Sequence, residues 1–378
     1  MPVNKFDANA TRIAIDTGPL KTGHATRGIG IYTQNLTQKL VEMKGELPEL
    51  KIDSFDFRAE NWKLLPCRQA GKTEKYDLFH YPYFDLFYTT LPIKKPAKTV
   101  VTVHDVIPLI FPDHYPPGIK GKIRFEIQRF SLRSASAVIT DSENSKKDII
   151  NYLGYPSKNI YVIYLAPGDY LKPEGNQNIL DEARKKYHLP KRFVLYVGDI
   201  NYNKNIPGLV KACAKIKIPL VIVGRQAVQK DIDRTHIENR DLVWLQDYHR
   251  KLITDNRRLI LTGFVPQEEL PAIYSLASVY CQPSFYEGFG IPVLEAMACG
   301  CPVASSNTSS LPEICGDAAL IFDPNDYNGI GRALMKVLGD SILRKNLINK
   351  GYEQTKKFSW GRTARETIEI YRKVASSS

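Results

Sequence analysis

Short, mostly continuous apolar runs recur along this chain, each followed by a helical stretch. A strand with one wet face alternates apolar and polar residues. Runs such as Val194-Leu-Tyr-Val-Gly198 and Leu220-Val-Ile-Val-Gly224 do not alternate, so they belong to parallel strands covered on both faces. The first series is Ile13–Asp16, Leu78–Tyr81, Val100–His104, Ala137–Thr140 and Tyr161–Tyr164. The second is Phe193–Gly198, Leu220–Gly224, Leu259–Gly263, Val279–Pro283, Pro302–Ser306 and Ala319–Phe322. Strand–helix alternation of this kind predicts an α/β chain of doubly wound sheets.

Two series imply two domains, and 378 residues leave room for two cores. Between the series lies Ala166-Pro-Gly-Asp-Tyr-Leu-Lys-Pro-Glu-Gly-Asn176, a Pro/Gly-rich polar stretch that reads as a linker. The expected division is therefore 1–175, 176–357, and a closing segment 358–378. That segment carries a helix over Trp360–Val374, because Trp360, Ala364, Ile368 and Tyr371 share one face, with Ser359 as its N-cap.

Other classes drop out on composition. There is no uninterrupted apolar run of about 18 residues, as a membrane-spanning helix needs. The N-terminus is polar and reads as carrying no signal peptide, which points to a cytoplasmic protein. Cys67, Cys213, Cys281, Cys299, Cys301 and Cys315 show neither a CxxC pair nor zinc spacing, and are expected as buried thiols. The net charge of +12 favours anionic partners. It is spread over both halves: 24 basic against 19 acidic residues up to 180, and 28 against 21 after it. No zinc-finger spacing or aromatic RNA-binding signature accompanies it, so nucleic acid is not expected.

The densest chemistry lies in Pro283-Ser-Phe-Tyr-Glu287-Gly-Phe-Gly290-Ile-Pro-Val-Leu-Glu295-Ala-Met-Ala-Cys-Gly300. It reads as strand end, glycine-rich turn, helix. Amides at a helix start bind anions, and Gly288 and Gly290 allow close backbone approach. Glu287 falls at the carboxyl edge of a strand, where open α/β sheets bind ligands. With a helix beginning near Ile291, Glu295 lies about one turn in and faces back toward the same crevice. Two carboxylates around an anion-binding turn suit a nucleotide sugar. The simpler alternative is that they only favour the helix dipole.

The spacing Glu287…Glu295 within Ser-Phe-Tyr-Glu-Gly-Phe-Gly-Ile-Pro-Val-Leu-Glu-Ala-Met-Ala-Cys-Gly-Cys-Pro-Val resembles the signature of retaining glycosyltransferase family 4, the glycosyl transferases group 1, with the GT-B fold. Further segments resemble that family in the right order. They are Gly28-Ile29-Gly30-Ile-Tyr-Thr, Val103-His104-Asp105, Thr140-Asp-Ser142-Glu-Asn-Ser145 and Tyr196-Val-Gly198…Lys204-Asn205. Gly263-Phe264-Val265-Pro266…Tyr274, Pro312-Glu313-Ile314…Ala318 and Phe358-Ser-Trp360…Ala364 complete the series. The likeness is strongest in the second half.

The resemblance implies two Rossmann-like domains facing across a cleft, the last helix returning to the first. It implies a donor site of Lys204, Gly288, Phe289, Gly290, Ile291, Glu295 and Val265. Lys204 would neutralise the leaving diphosphate, the backbone of Val265 and Pro266 would cradle the base, and Glu287 would hold the sugar's hydroxyls. His104 would face the transferred sugar, with Asp105 orienting the ring or loop. Gly28, Ile29 and Gly30 read as a mobile loop, ahead of a helix Ile31–Leu40, whose amides meet acceptor or diphosphate. Thr33 stands where a dinucleotide fingerprint needs its third glycine. Many family members carry an arginine beside the phosphate lysine; here Asp199 and Asn203 fill those places, and Arg27 or Arg225 is the candidate substitute.

The segment Gly118–Arg133 is basic and amphipathic, with Ile119, Ile123, Ile127 and Phe130 on one face. It is expected to pack on its own sheet with a solvated basic edge. The competing reading is a peripheral contact with an anionic membrane or a polyprenyl-phosphate acceptor. A metal-dependent glycosyltransferase of the other fold would want an early Asp-x-Asp; Asp231-Ile-Asp233 comes late, and no metal or other cofactor is expected. The expected activity is transfer of a hexose from a UDP- or GDP-linked donor to a glycan or lipid-linked hydroxyl, with retained configuration. A sugar-nucleotide epimerase or a non-catalytic glycan-binding or partner-binding module are the alternatives.

Overall fold

The computed structural model describes residues 10–23, 28–56, 76–251 and 258–377. It forms two compact units. The first comprises Met1–Val106, Pro117–Leu165 and Trp360–Ser378; the second comprises Ile107–Pro116 and Ala166–Ser359. The second unit thus begins ten residues before the expected boundary and takes in a short piece of the first half. Arg27 and Cys67 lie outside the described residues.

The first unit is built on β1 (Thr11–Asp16), β2 (Leu50–Phe55), β3 (Leu78–Tyr81), β4 (Lys98–Thr102), β5 (Ala137–Thr140) and β6 (Ile160–Val162). They form one sheet in the order β2-β1-β3-β4-β5-β6, every pair parallel. The chain direction across the sheet reverses between β1 and β3, which opens a crevice at the strands' carboxyl ends. β2 has no counterpart among the apolar runs. It is an edge strand, half open to water, and Lys51 and Asp53 interrupt its pattern.

The first helix runs Gly28–Glu42, not Ile31–Leu40. Gly28, Ile29 and Gly30 are therefore its first turn, with Gly30 buried, rather than a loop ahead of it. The helix is fixed from within. Thr33 donates its hydroxyl to the carbonyl of Ile29 at 2.9 Å, and Tyr32 and Leu36 bury on the sheet. The closing helix Trp360–Ser376 buries Trp360, Ala364, Ile368 and Tyr371 in this unit, along the face its periodicity marks.

The basic helix Gly118–Arg133 packs the other way round from expectation. Gly121, Gln128, Ser131 and Leu132 face the protein, while Ile119, Ile123, Ile127 and Phe130 face water. Polar anchoring outweighs apolar burial here. The buried Gln128 carboxamide accepts from the amides of Thr90 and Leu91, both at 3.0 Å, and donates to the carbonyl of Leu91 at 3.1 Å. Lys95 donates to the carbonyl and hydroxyl of Ser131, both at 2.7 Å.

The second unit is built on β7 (Val194–Val197), β8 (Leu220–Val223), β9 (Leu259–Gly263), β10 (Val279–Gln282), β11 (Val303–Ser306) and β12 (Ala319–Phe322). Its sheet runs β12-β11-β10-β7-β8-β9, again all parallel. β7 and β8 are buried over nearly their whole length, as continuous apolar runs require. The reversal falls between β7 and β10. The loops leaving those two strands are neighbours, and they carry Lys204 and Glu287. Among the described residues five cysteines are free and buried, and no helix is long and apolar enough to cross a membrane.

Candidate active site

In the second unit, two asparagines aim Lys204 at the loop after β10. Asn203 is buried; its side-chain amide donates to the carbonyl of Tyr286 at 2.9 Å, and its backbone carbonyl accepts from the amide of Phe285 at 2.8 Å. Asn205 adopts a left-handed backbone, φ 52°, and donates to the carbonyls of Pro283 and Pro324 at 3.1 and 2.8 Å. With the residues on either side clamped, Lys204 reaches both carboxylate oxygens of Glu287, at 2.8 and 2.7 Å. Ser284 and Gln282 donate to the same carboxylate at 2.6 and 2.8 Å. Glu287 is only 6% exposed, so this polar network satisfies a charge that burial alone would disfavour.

Asn203 is thus a strut, and a neutral one. Its side-chain oxygen accepts from the hydroxyl of Tyr115 at 2.7 Å. The same short segment stacks His114 on Tyr202, ring centroids 3.3 Å apart, and sets Phe111 edge-on to Tyr202 and Tyr286. This explains why Ile107–Pro116 belongs to the second unit. Nothing in the sequence spacing marks it, because its partners lie far along the chain, 88 residues away in the case of Tyr115 and Asn203.

The glycine turn is held from the far side. Ser309 accepts from the amide of Glu287 at 2.9 Å, and Ser310 donates to the carbonyls of Glu287 and Phe289 at 3.0 and 2.9 Å. Gly290 caps the helix Ile291–Ala298 with φ 104°. A Cβ there would lie 2.8 Å from Leu311, so both conformation and space demand glycine. Phe289 buries its side chain against Phe358, leaving only its backbone for a ligand.

Glu295, on that helix, accepts from the hydroxyl of Tyr274 at 2.7 Å. Burial pushes its carboxyl above the usual range, and the Tyr274 hydrogen bond offsets this in part. Glu287 and Glu295 make no direct bond to each other. Tyr274 and Tyr280 join them: the rings lie 5.9 Å apart, and Tyr280 donates to Gln282, which donates to Glu287. Val265 is buried, while the neighbouring Phe264 is exposed beneath the Arg225 guanidinium, 4.9 Å from its ring centroid. Arg225, one of the two candidate substitute cations, thus sits at the carboxyl edge of β8 and β9; the other, Arg27, lies outside the described residues.

In the first unit His104 lies two residues beyond β4. Its ring partner is Asp141, just past β5, at 2.7 Å from Nδ1; Asp105 adds charge without being that partner. Nε2 lies 3.1 Å from the carbonyl of Pro82. A carboxylate and a carbonyl both accept, so both ring nitrogens have an acceptor within reach, an arrangement that favours the protonated ring. Burial alone would lower its pKa. The Asp141 carboxylate and its hydrogen bond outweigh that, with Asp105 and the Pro82 carbonyl helping, and the net shift is upward. The other Asp141 oxygen is buried without a hydrogen-bond partner. Tyr32 sets its ring edge-on to His104, centroids 4.8 Å apart. Among the described residues no group of three or more His, Cys, Asp or Glu is placed to hold a metal ion.

Residues 180–354 match the glycosyl transferases group 1 family, and residues 48–166 match glycosyltransferase family 4. An O-antigen chain mannosyltransferase B from Escherichia coli is 30% identical across 96% of this chain and 99% of its own length. The chain is a member of this glycosyltransferase family. The glycosyltransferase also matches a serotype-specific mannosyltransferase WbdA of Escherichia coli at 30% identity, over 79% of this chain but only 36% of that longer protein. Among solved structures, a sucrose-phosphate synthase from Thermosynechococcus elongatus superimposes with a TM-score of 0.73 at 20% identity, over 97% of this chain and all of that one. Anabaena HepE, solved with UDP and glucose, gives 0.69 at 16% identity, over 96% of this chain and 99% of that one. These likenesses establish the GT-B fold of the glycosyltransferase.

Proposed function

We propose that this glycosyltransferase transfers mannose from a UDP- or GDP-linked donor to a hydroxyl of a growing glycan or lipid-linked saccharide. The anomeric configuration is retained, and neither metal nor further cofactor is needed. Support for mannose comes from the relatives' activities. Support for the donor site comes from one observation: Lys204 and Glu287 meet at the switch point of the second sheet, beside the glycine-rich start of the Ile291–Ala298 helix.

That pairing describes an exchange. In the free enzyme the ammonium satisfies the carboxylate. When a nucleoside diphosphate arrives, Lys204 turns to the phosphates, joined by the amides of Gly288–Ile291. Glu287 stays held by Ser284 and Gln282 and takes the sugar's hydroxyls. Glu295 takes the ribose diol, and the backbone at Val265 takes the base. Charge growing on the leaving diphosphate is met by Lys204 and the helix amides, the roles a metal would otherwise fill. The neutral Asn203 does not count against this, since it is spent on holding the lysine loop. On the first unit, which takes the acceptor, His104 and the amides of Gly28–Gly30 are that unit's contribution, with Asp141 rather than Asp105 fixing the imidazole.

The test is a thermal-shift screen against UDP-, GDP-, ADP- and dTDP-sugars, then transfer from the best donor to oligomannoside acceptors with the product anomer read by NMR. A ligand that binds the folded state alone raises the melting temperature. A single GDP- or UDP-hexose that stabilises the protein and yields an α-linked product from an α-linked donor supports the reading. Inverted product, or conversion of the donor to its epimer without any acceptor product, overturns it.

A further inference from the structure

The outward ridge of the Gly118–Arg133 helix lies outside the residues assigned above to sugar transfer. Ile119 is 81% exposed, Ile123 58%, Ile127 39% and Phe130 62%. At 100° per residue these four side chains fall within about a quarter turn of one another, a stripe roughly 16 Å long. Tyr88, also exposed, adjoins the helix beneath the Arg124 guanidinium, 5.6 Å from its ring centroid. Lys120 and Arg124 border the stripe on one side; Lys122, Arg129 and Arg133 border it on the other. Glu126 is the helix's one acidic residue and is paired with Arg129 at 2.6 Å.

Apolar side chains are not left outward here for want of alternatives. The inner face of the helix is filled by Gly121, Gln128 and Ser131, with Gln128 and Ser131 bonded to the 90–95 segment, so rotating the stripe inward would strand buried polar groups. The ridge is convex, has cations on both flanks, and belongs to a chain carrying +12 overall. A second copy placed symmetrically on it would bring the same cations face to face. A bilayer surface with anionic headgroups meets both requirements: the stripe enters the acyl boundary and the long basic side chains reach up to the phosphates.

We propose that this helix is a membrane-docking element that seats the first unit on an anionic lipid surface. The proposal stands apart from the sugar-transfer reading. The full chain is sedimented with phosphatidylcholine vesicles containing about 30% phosphatidylglycerol, and with phosphatidylcholine alone, at low and high salt. Binding is expected to the anionic vesicles only, falling about tenfold or more between roughly 0.1 and 0.5 M salt. The double variant Ile123→Ser with Phe130→Ser, and the triple variant Lys120→Gln, Lys122→Gln and Arg124→Gln, should each lose about tenfold or more at an unchanged melting temperature. An Ile123→Trp variant should show a blue-shifted emission with anionic vesicles, and this readout decides the matter if the multiple variants fold poorly. No sedimentation with anionic vesicles, variants that bind like the parent, or a dimer abolished by the serine variant without vesicle binding would each overturn the proposal.

Discussion

Lys204 donates to both oxygens of Glu287, at 2.8 and 2.7 Å, across a sequence separation of 83 residues. The pair joins the loops of the two central strands of the second sheet. Because Ser284 and Gln282 also serve the carboxylate, removing the lysine does not leave it without partners. Glu287→Gln keeps the shape and loses the charge. It is predicted to cut turnover by about 100-fold or more while shifting stability by about 1–3 kcal/mol at most. Steady-state kinetics beside urea unfolding check this; equal loss of both would reduce Glu287 to a structural residue.

Glu295→Gln separates binding from stability in the opposite sense. Burial raises the Glu295 carboxyl, so the folded state holds its proton more tightly than the unfolded chain does. That group therefore costs stability as pH rises above the ordinary carboxylate range. The glutamine variant is predicted to be as stable as the parent or more so at pH 7.5, yet to bind the donor's nucleoside diphosphate about 1–3 kcal/mol more weakly. Calorimetric titration and a melting curve decide it; a less stable variant with unchanged affinity would contradict the assignment.

Asp141→Asn tests what sets the proton affinity of His104. His104 is raised in the folded state, so its contribution to stability is complete below the ordinary imidazole range and is lost as pH rises through the raised value. The asparagine variant should bring the ring back down, visible in the NMR titration of His104, and should move the basic limb of the turnover profile to lower pH. An unmoved titration would show that Asp141 does not set the ring's charge.

His80 acts with the reverse sign. It is fully buried between Tyr371 at 2.7 Å and Thr102 at 2.9 Å, and burial holds its pKa down at about 3, the charge on His104 helping. The unfolded chain takes up a proton that the folded state refuses, so stability falls as pH drops from the ordinary imidazole value toward 3, by roughly 1.4 kcal/mol for each pH unit in that window. His80→Gln is predicted to flatten this acid loss while lowering stability at pH 7.5. Urea unfolding at pH 7.5 and 5.0 measures it; an unchanged slope would place the acid sensitivity elsewhere.

Much of this was legible in the residues. Continuous apolar runs mark the buried parallel strands within a residue or two, because a strand covered on both faces tolerates little else. The edge strand Leu50–Phe55 escapes that rule because water covers half of it. The glycine turn around Glu287 is readable because its backbone requirements are local. Asp141, Asn203 and Tyr115 are not, since each acts on partners more than thirty residues away in the chain. The Gly118–Arg133 helix misleads for the same reason: its apolar periodicity is plain, but which face turns inward is decided by Gln128 and Ser131 bonding to a distant segment.

The account rests on a nucleotide-sugar site in the second unit with Lys204 at the phosphates. Calorimetric titration of the donor's nucleoside diphosphate into the parent and Lys204→Ala proteins tests that most directly. The predicted result is a loss of about tenfold or more in affinity with the melting transition still cooperative, as expected when one charge-assisted phosphate contact is removed. Equal affinities in the two proteins would contradict it.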